Sequence, residues 1–92
     1  MRRVRAQVRI EGQVQGVSFR YHTRDRARNL GLHGWVKNLA DGAVAAVFEG
    51  EESSVRAMLD WCRQGPAAAR VDKVAVALEE ARGEFHSFEI VF

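Results

Sequence analysis

The most constraining feature of this sequence is that its apolar residues change period along the chain. The segment from Val4 to Ile10 alternates apolar with polar residues, the two-residue period of a strand with one buried face. A later segment has apolar residues at i, i+3, i+4 and i+7, the pattern of an amphipathic helix: Val55, Met58, Leu59 and Cys62. A chain with both periods must pack helices against a sheet.

The other elements follow from the same pattern and from turn residues. Helical spacing from about Phe19 to Leu30 predicts a first helix, with Gly31 as a left-handed cap. The Asp41-Gly42 pair predicts a tight hairpin in which both residues take positive φ. Gly65-Pro66 ends the second helix, and alternation returns in two more segments: Val74 to Leu78 and Phe88 to Phe92.

The element order is therefore βαββαβ plus a C-terminal strand. Both crossover connections contain a helix, which places the two helices on one face of a mostly antiparallel sheet and leaves the other face to solvent. The predicted fold class is α+β, a ferredoxin-like split βαβ sandwich forming a single domain over residues 1–92. We expect Trp35 and Trp61 to build the core together with the phenylalanines, and Cys62 to fill it.

Composition excludes several classes of protein. The chain has 92 residues, 47% apolar and 28% charged, which fits a compact soluble domain. One cysteine permits no internal disulfide, and no Cys/His spacing fits a metal site, so we expect no metal and a cytoplasmic location. No segment is apolar enough for export or membrane insertion. The net charge of +2 is only a weak argument for nucleic-acid binding.

The segment from Gly12 to Arg20 joins the first strand to the first helix and is the best candidate for a site. It has no proline, so each backbone N–H from Gln13 to Arg20 is available as a donor. With Gly16 at positive φ, these amides can curl around an anion at the positive end of the helix. By spacing alone, an ordinary loop whose glycines only relieve steric clashes is equally consistent.

Two polar side chains could complete such a site. Arg20 falls in the first helical turn, where a cation is unfavourable unless an anion offsets it, although a surface pair with Asp25 would also explain it. Asn38 precedes the predicted hairpin turn. Its amide could hold a water molecule, or it could bond its own backbone as turn asparagines often do. The spacing does not choose between these interpretations.

Two segments of the sequence resemble the signatures of the acylphosphatase family. The first signature reads Gly, any residue, Val-Gln-Gly-Val, any residue, aromatic, Arg, and it matches residues 12–20. The second matches Gly34-Trp35-Val36-Lys37-Asn38, followed by Gly42, Val44 and Gly50. The resemblance covers nearly the whole chain, and one departure is Ala45, where many members have Glu.

The resemblance implies a metal-free and cofactor-free hydrolase that converts a small-molecule acyl phosphate to a carboxylate and inorganic phosphate. It implies that Arg20 and Asn38 are catalytic, with Asn38 orienting the attacking water. The phosphate would be bound by Arg20 and by the loop residues Gln15, Gly16, Val17, Ser18 and Phe19. We expect a monomer that binds neither nucleic acid nor membrane.

Two alternatives share the predicted fold. An RNA-binding module would display aromatic residues on its central strands, but the strand from Val4 to Ile10 has none. A carbamoyl-phosphate-handling domain of a large hydrogenase-maturation protein would share the site, but it would need further domains. A standalone acylphosphatase is therefore the preferred interpretation.

Overall fold

The computed structural model describes residues 2–92 and has the predicted ferredoxin-like α+β architecture. Five strands and two helices alternate in the predicted order: β1 (Arg3–Gln13), α1 (Phe19–Asn29), β2 (His33–Asn38), β3 (Val44–Glu51), α2 (Glu52–Gln64), β4 (Arg70–Glu80) and β5 (Phe88–Ile90). Neither helix has the length and apolar character that a membrane span needs within residues 2–92.

The strands form one sheet in the order β4-β1-β3-β2-β5. β3 pairs antiparallel with both β1 and β2, and β4 pairs antiparallel with β1, whereas β5 is parallel to β2. β1 and β2 are thus parallel strands separated by β3, which is the split βαβ arrangement. Because β1 and β2 lie one strand apart, the loop that follows β1 ends near the end of β2.

The core lies between the sheet and the two helices. It contains the apolar residues of β1, the buried face of α2 and three phenylalanines: Phe19, Phe48 and Phe88. Trp61 packs against this core, and its ring lies 5.5 Å from that of Phe19. The prediction for Trp35 was wrong, because its neighbour Val36 fills the inward position of β2 and alternation turns the indole to the opposite face.

Both helices end at the glycines expected from the sequence. Gly31 has φ 71°, and its N–H donates to the carbonyl of Arg28 while that of Leu32 donates to Ala27. These two bonds define a Schellman cap. α1 ends at Asn29, one residue before the predicted end, and Gly65 follows α2 with φ 69°.

The hairpin between β2 and β3 exists, but its turn differs from the prediction. Gly42 has φ 96°, whereas Asp41 does not take positive φ. The N–H of Leu39 donates to the carbonyl of Ala43, which closes a three-residue loop. Asp41 Oδ1 accepts the N–H of Ala43, so the aspartate stabilises the turn through its side chain rather than through a left-handed backbone.

The face of the sheet opposite the helices is not wholly open to solvent, contrary to the prediction. Arg5 and Glu49 are both buried there and form an ion pair of 2.8 Å. Glu49 also accepts the backbone N–H groups of Arg82 and Gly83. The loop after β4 therefore folds over this face because a buried carboxylate binds its backbone.

The last strand is also shorter than predicted. β5 comprises only Phe88–Ile90, and pairing with β2 ends where the N–H of Val91 donates to the carbonyl of Val36. Phe92 lies beyond that bond and is 99% exposed, so it does not extend the alternating face.

Candidate active site

A cavity of about 260 Å³ lies where β1 ends and α1 begins. Seven residues from three elements line it: Val14, Gly16, Ser18, Phe19, Arg20, Tyr21 and Asn38. Arg20 and Asn38 meet here because the loop after β1 and the end of β2 lie at the same end of the sheet. The other two predicted loop residues do not line it: the Gln15 side chain contacts the hairpin loop, and Val17 packs against the core.

The loop between β1 and α1 has the backbone conformation of an anion-binding concavity. Gly16 has φ 74° and Ser18 has φ 61°, while Val17 between them has negative φ. Alternating signs of φ turn successive N–H groups toward one point. Ser18 is the only non-glycine residue with positive φ in residues 2–92, a conformation that costs about 1 kcal/mol or more.

The amides of this loop are free. Ser18 is the N-cap of α1, but its side chain makes no capping hydrogen bond. Within residues 2–92, no backbone N–H from 15 to 21 donates to a protein acceptor. The first N–H groups of a helix have no partner within the helix, so unpaired donors at Ser18, Phe19, Arg20 and Tyr21 belong to residues that line the cavity, at the positive end of the helix dipole.

Gly12 has a different role from Gly16. A Cβ at position 12 would lie 2.1 Å from the carbonyl oxygen of Arg70, whereas one at position 16 would meet nothing within 4 Å. The β1–β4 register shifts between Glu11 and Gly12. Gly12 therefore permits a close approach of two strands at a bulge, and Gly16 permits the left-handed conformation that opens the loop.

Arg20 has no carboxylate partner in the described part of the chain. Asp25, the partner considered from the sequence, pairs instead with Arg24 at 3.1 Å. The Arg20 guanidinium carbon lies 5.4 Å from the ring centroid of Phe92, a cation–π contact. The cation at the N-terminus of α1 is thus left without a counter-charge beside the free amides.

Asn38 is placed differently from a turn asparagine. Its Oδ1 atom is buried and has no hydrogen-bond partner within residues 2–92. Asp41, and not Asn38, accepts a backbone N–H of the turn through its side chain. An unpaired buried acceptor is uncommon and costs about 1–3 kcal/mol, and Asn38 is one of the residues that line the cavity.

The sequence did not show what the Gln15 side chain does. Its Nε2 atom donates to the carbonyl of Leu39 at 2.7 Å and to that of Ala43 at 2.9 Å. These two bonds tie the loop between β1 and α1 to the hairpin loop that follows Asn38. A glutamine within a glycine-containing loop is the only sequence signal for this contact, and it does not reveal the partner.

The remaining candidate groups lie elsewhere. The described residues contain no cluster of three or more His, Cys, Asp or Glu side chains able to hold a metal ion. Burial raises the pKa of the Cys62 thiol to about 12, as expected for a core residue. Ala45 lies across from Arg9 and Lys37 in the sheet and is not among the residues that line the cavity.

Comparison with known proteins identifies relatives of the same length. The sequence profile of the acylphosphatase family matches residues 6–90. An acylphosphatase from Geobacter sulfurreducens is 53% identical over 96% of this chain and 97% of its own length. One from Thermococcus kodakarensis is 52% identical over 99% of both chains.

Solved structures give the same result. The crystal structure of acylphosphatase from Bacillus subtilis superposes with a TM-score of 0.93 and 31% identity, over 97% of this chain and 99% of that one. Full-length HypF in its phosphate- and nucleotide-bound form matches with a TM-score of 0.84 and 28% identity, over 98% of this chain but only 12% of that protein. The chain therefore belongs to the acylphosphatase family and is an enzyme that hydrolyses acyl phosphates.

Proposed function

We propose that hydrolysis proceeds by in-line attack of a water molecule held by Asn38 on a phosphate bound by Arg20 and the loop amides. The observation that carries this proposal is the pairing, in one cavity, of an uncompensated guanidinium with a buried acceptor that has no partner. The first group needs an anion and the second needs a donor. An acyl phosphate and a water molecule supply one each.

The phosphate is bound by complementary donors. The Arg20 guanidinium offers a planar fork for two oxygens, while the amides around Gly16 and Ser18 point toward the remaining oxygens. In the loose transition state of phosphoryl transfer, negative charge is spread over these oxygens. Donors that are already in position stabilise that charge without further reorganisation.

The water is positioned by the Asn38 amide. Oδ1 accepts one of its protons, and the lone pair of the water oxygen faces the phosphorus atom. Holding the nucleophile in line removes much of the entropic part of the barrier. A general acid is not needed, because the leaving carboxylate has a conjugate acid of pKa about 4.

The proton released by the water has one acceptor consistent with this cavity. No carboxylate or imidazole is among the residues that line it. A non-bridging oxygen of the substrate phosphate lies next to the attacking water and takes the proton as the new P–O bond forms and the bond to the acyl oxygen breaks. The products are the carboxylate and inorganic phosphate, and no cofactor takes part.

The test compares Arg20→Ala and Asn38→Ala on benzoyl phosphate with EDTA present. We expect Arg20→Ala to raise KM and lower kcat, because its contacts are made to both ground and transition states. For Asn38→Ala we expect kcat to fall about 10²-fold or more, with inhibition by inorganic phosphate nearly unchanged. Loss of wild-type activity on chelation would contradict the metal-free mechanism.

Two surface variants on α1 serve as matched controls. Arg26 and Asn29 are exposed and line no part of this cavity, so Arg26→Ala and Asn29→Ala should keep wild-type turnover. Asn38→Ala should not lower the free energy of unfolding and should raise it if anything, because it removes a buried acceptor that makes no hydrogen bond within residues 2–92. Normal turnover in Asn38→Ala would refute the water-orienting role.

A further inference from the structure

We propose that Tyr21 determines which acyl group the enzyme prefers, by providing an aromatic wall for an aryl or other planar apolar acyl portion. This inference rests on the proposed function and names the substrate class of the same cavity. Tyr21 lines the cavity with Arg20 and Asn38, yet it is 52% exposed. Neither the anion nor the water requires an aromatic ring at this position.

Tyr21 is one of the few large apolar side chains that are exposed. In the described part of the chain the others are Val76, Leu78 and Phe92, and none of these lines the cavity. Single exposed apolar residues need no explanation in general. Tyr21 differs because it lines the cavity that holds Arg20 and Asn38, and a ring at this position can cover a substrate group that extends from the bound phosphate.

The charges around the ring favour an apolar acyl group over a second carboxylate. The Arg24 guanidinium carbon lies 5.4 Å from the centroid of the Tyr21 ring, and this contact orients the ring. However, the charge of Arg24 is already paired with Asp25 at 3.1 Å. The wall therefore offers an aromatic surface without a free cation for an acidic acyl chain.

The cavity is large enough for this arrangement. A water molecule takes a share of about 30 Å³ in the liquid, so four phosphate oxygens counted as four waters give an upper bound of roughly 120 Å³ for the phosphate group. The cavity measures about 260 Å³, so it also accommodates the attacking water and the first atoms of the acyl group. The rest of a planar acyl group then extends along Tyr21 toward solvent.

The experiment measures kcat/KM for benzoyl phosphate relative to acetyl phosphate. We expect this ratio to fall about tenfold in Tyr21→Ala and to be retained in Tyr21→Phe, which keeps the ring. Leu78→Ala is the control, since Leu78 is 49% exposed on the edge strand β4. An unchanged ratio in Tyr21→Ala would overturn the proposal, as would a loss of preference in Phe92→Ala alone.

A binding measurement separates this inference from the catalytic proposal. Benzoylphosphonate and acetylphosphonate retain the acyl and phosphoryl groups. They join these groups by a P–C bond, so they lack the P–O bond that the enzyme breaks. Calorimetry should show that the wild type prefers benzoylphosphonate and that Tyr21→Ala loses this preference. If the preference is found without hydrolysis of either phosphate, the acyl wall stands and the catalytic mechanism fails. If the wild type has no preference, the wall is wrong.

Discussion

Removal of the Gln15 side chain should weaken both the fold and catalysis, because it releases the loop between β1 and α1 from the hairpin loop. Gln15→Ala deletes two hydrogen bonds, to the carbonyls of Leu39 and Ala43, but keeps the backbone amide at position 15. No contact with substrate is removed directly. Any loss of turnover must therefore come from the position of Asn38 relative to the loop.

The size of the effect follows from the bonds that remain. The carbonyl of Leu39 still accepts the N–H of Gly42, and that of Ala43 still accepts the N–H of Leu39. Neither acceptor is left buried without a partner, so each lost bond costs only its net contribution of about 0.5–1.5 kcal/mol. We therefore expect the free energy of unfolding to fall by about 1–3 kcal/mol.

Catalysis should be more sensitive than stability. A displacement of about 1 Å in a positioning group can reduce turnover about 10²-fold. We expect kcat for benzoyl phosphate to fall at least tenfold, with a smaller change in inhibition by inorganic phosphate. Gln15→Glu should lower kcat more than Gln15→Ala does, because a carboxylate oxygen would replace the NH₂ group and would be repelled by the two carbonyl oxygens that this group now contacts. Lowering the pH should partly restore the kcat of Gln15→Glu, since a protonated carboxyl group can donate one hydrogen bond.

The assay combines guanidinium unfolding with steady-state kinetics, and Gln7→Ala is the matched control. The Gln7 side chain donates one bond to the exposed carboxylate of Glu79, so its removal should change stability by less than about 0.5 kcal/mol. Equal unfolding midpoints for Gln15→Ala and Gln7→Ala would show that the tie between the loops contributes no stability. Wild-type kcat in Gln15→Ala would show that it does not position Asn38.

Two further predictions concern buried titratable groups. Burial alone would raise the pKa of Glu49, but two backbone N–H groups and the Arg5 guanidinium outweigh the effect of burial and hold this pKa below its ordinary 4.5. The stability that ionised Glu49 contributes is therefore present above pH 4.5 and is lost as the pH falls through the lower pKa of the folded state. Glu49→Gln should flatten the acid limb of the unfolding free energy measured between pH 6 and about pH 3, and an unchanged limb would contradict this assignment. Burial raises the pKa of Cys62 to about 12, so its thiol should resist iodoacetamide at pH 8 in the native protein. The same thiol should react once guanidinium unfolds the protein. Rapid alkylation of the native protein would argue against a buried thiol.

Most of the fold was readable from the sequence, because period and turn residues act locally. The alternation in β1 and the i, i+3, i+4, i+7 pattern of α2 predicted elements whose buried faces the structure confirms. Gly31 marked a helix end because a left-handed C-terminal cap favours glycine. The split βαβ arrangement followed from the element order, since crossovers through helices leave few arrangements of such a sheet.

Two of the errors share one cause, which is that the deciding contact came from a distant segment. Trp35 was assigned to the core from its apolar character, but the register of β2 against β3 gave the inward position to Val36. The open face was predicted to be solvated, because nothing local shows that Glu49 binds the backbone of the loop after β4. The hairpin turn differed for a smaller reason: the Asp41 side chain could stabilise either conformation.

At the candidate site the sequence indicated the participants but not their state. An arginine in the first turn of α1, a left-handed serine without a capping bond and a buried asparagine oxygen without a partner are each unfavourable alone. A folded protein keeps such features where a ligand or a reaction relieves them, and all three adjoin one cavity. In the mechanism proposed above, a bound tetrahedral anion offsets the charge of Arg20 and accepts from the unpaired loop amides, while a water molecule beside it satisfies Asn38. The same local costs that make this end of the sheet a poor contributor to stability thus define the geometry of the reaction.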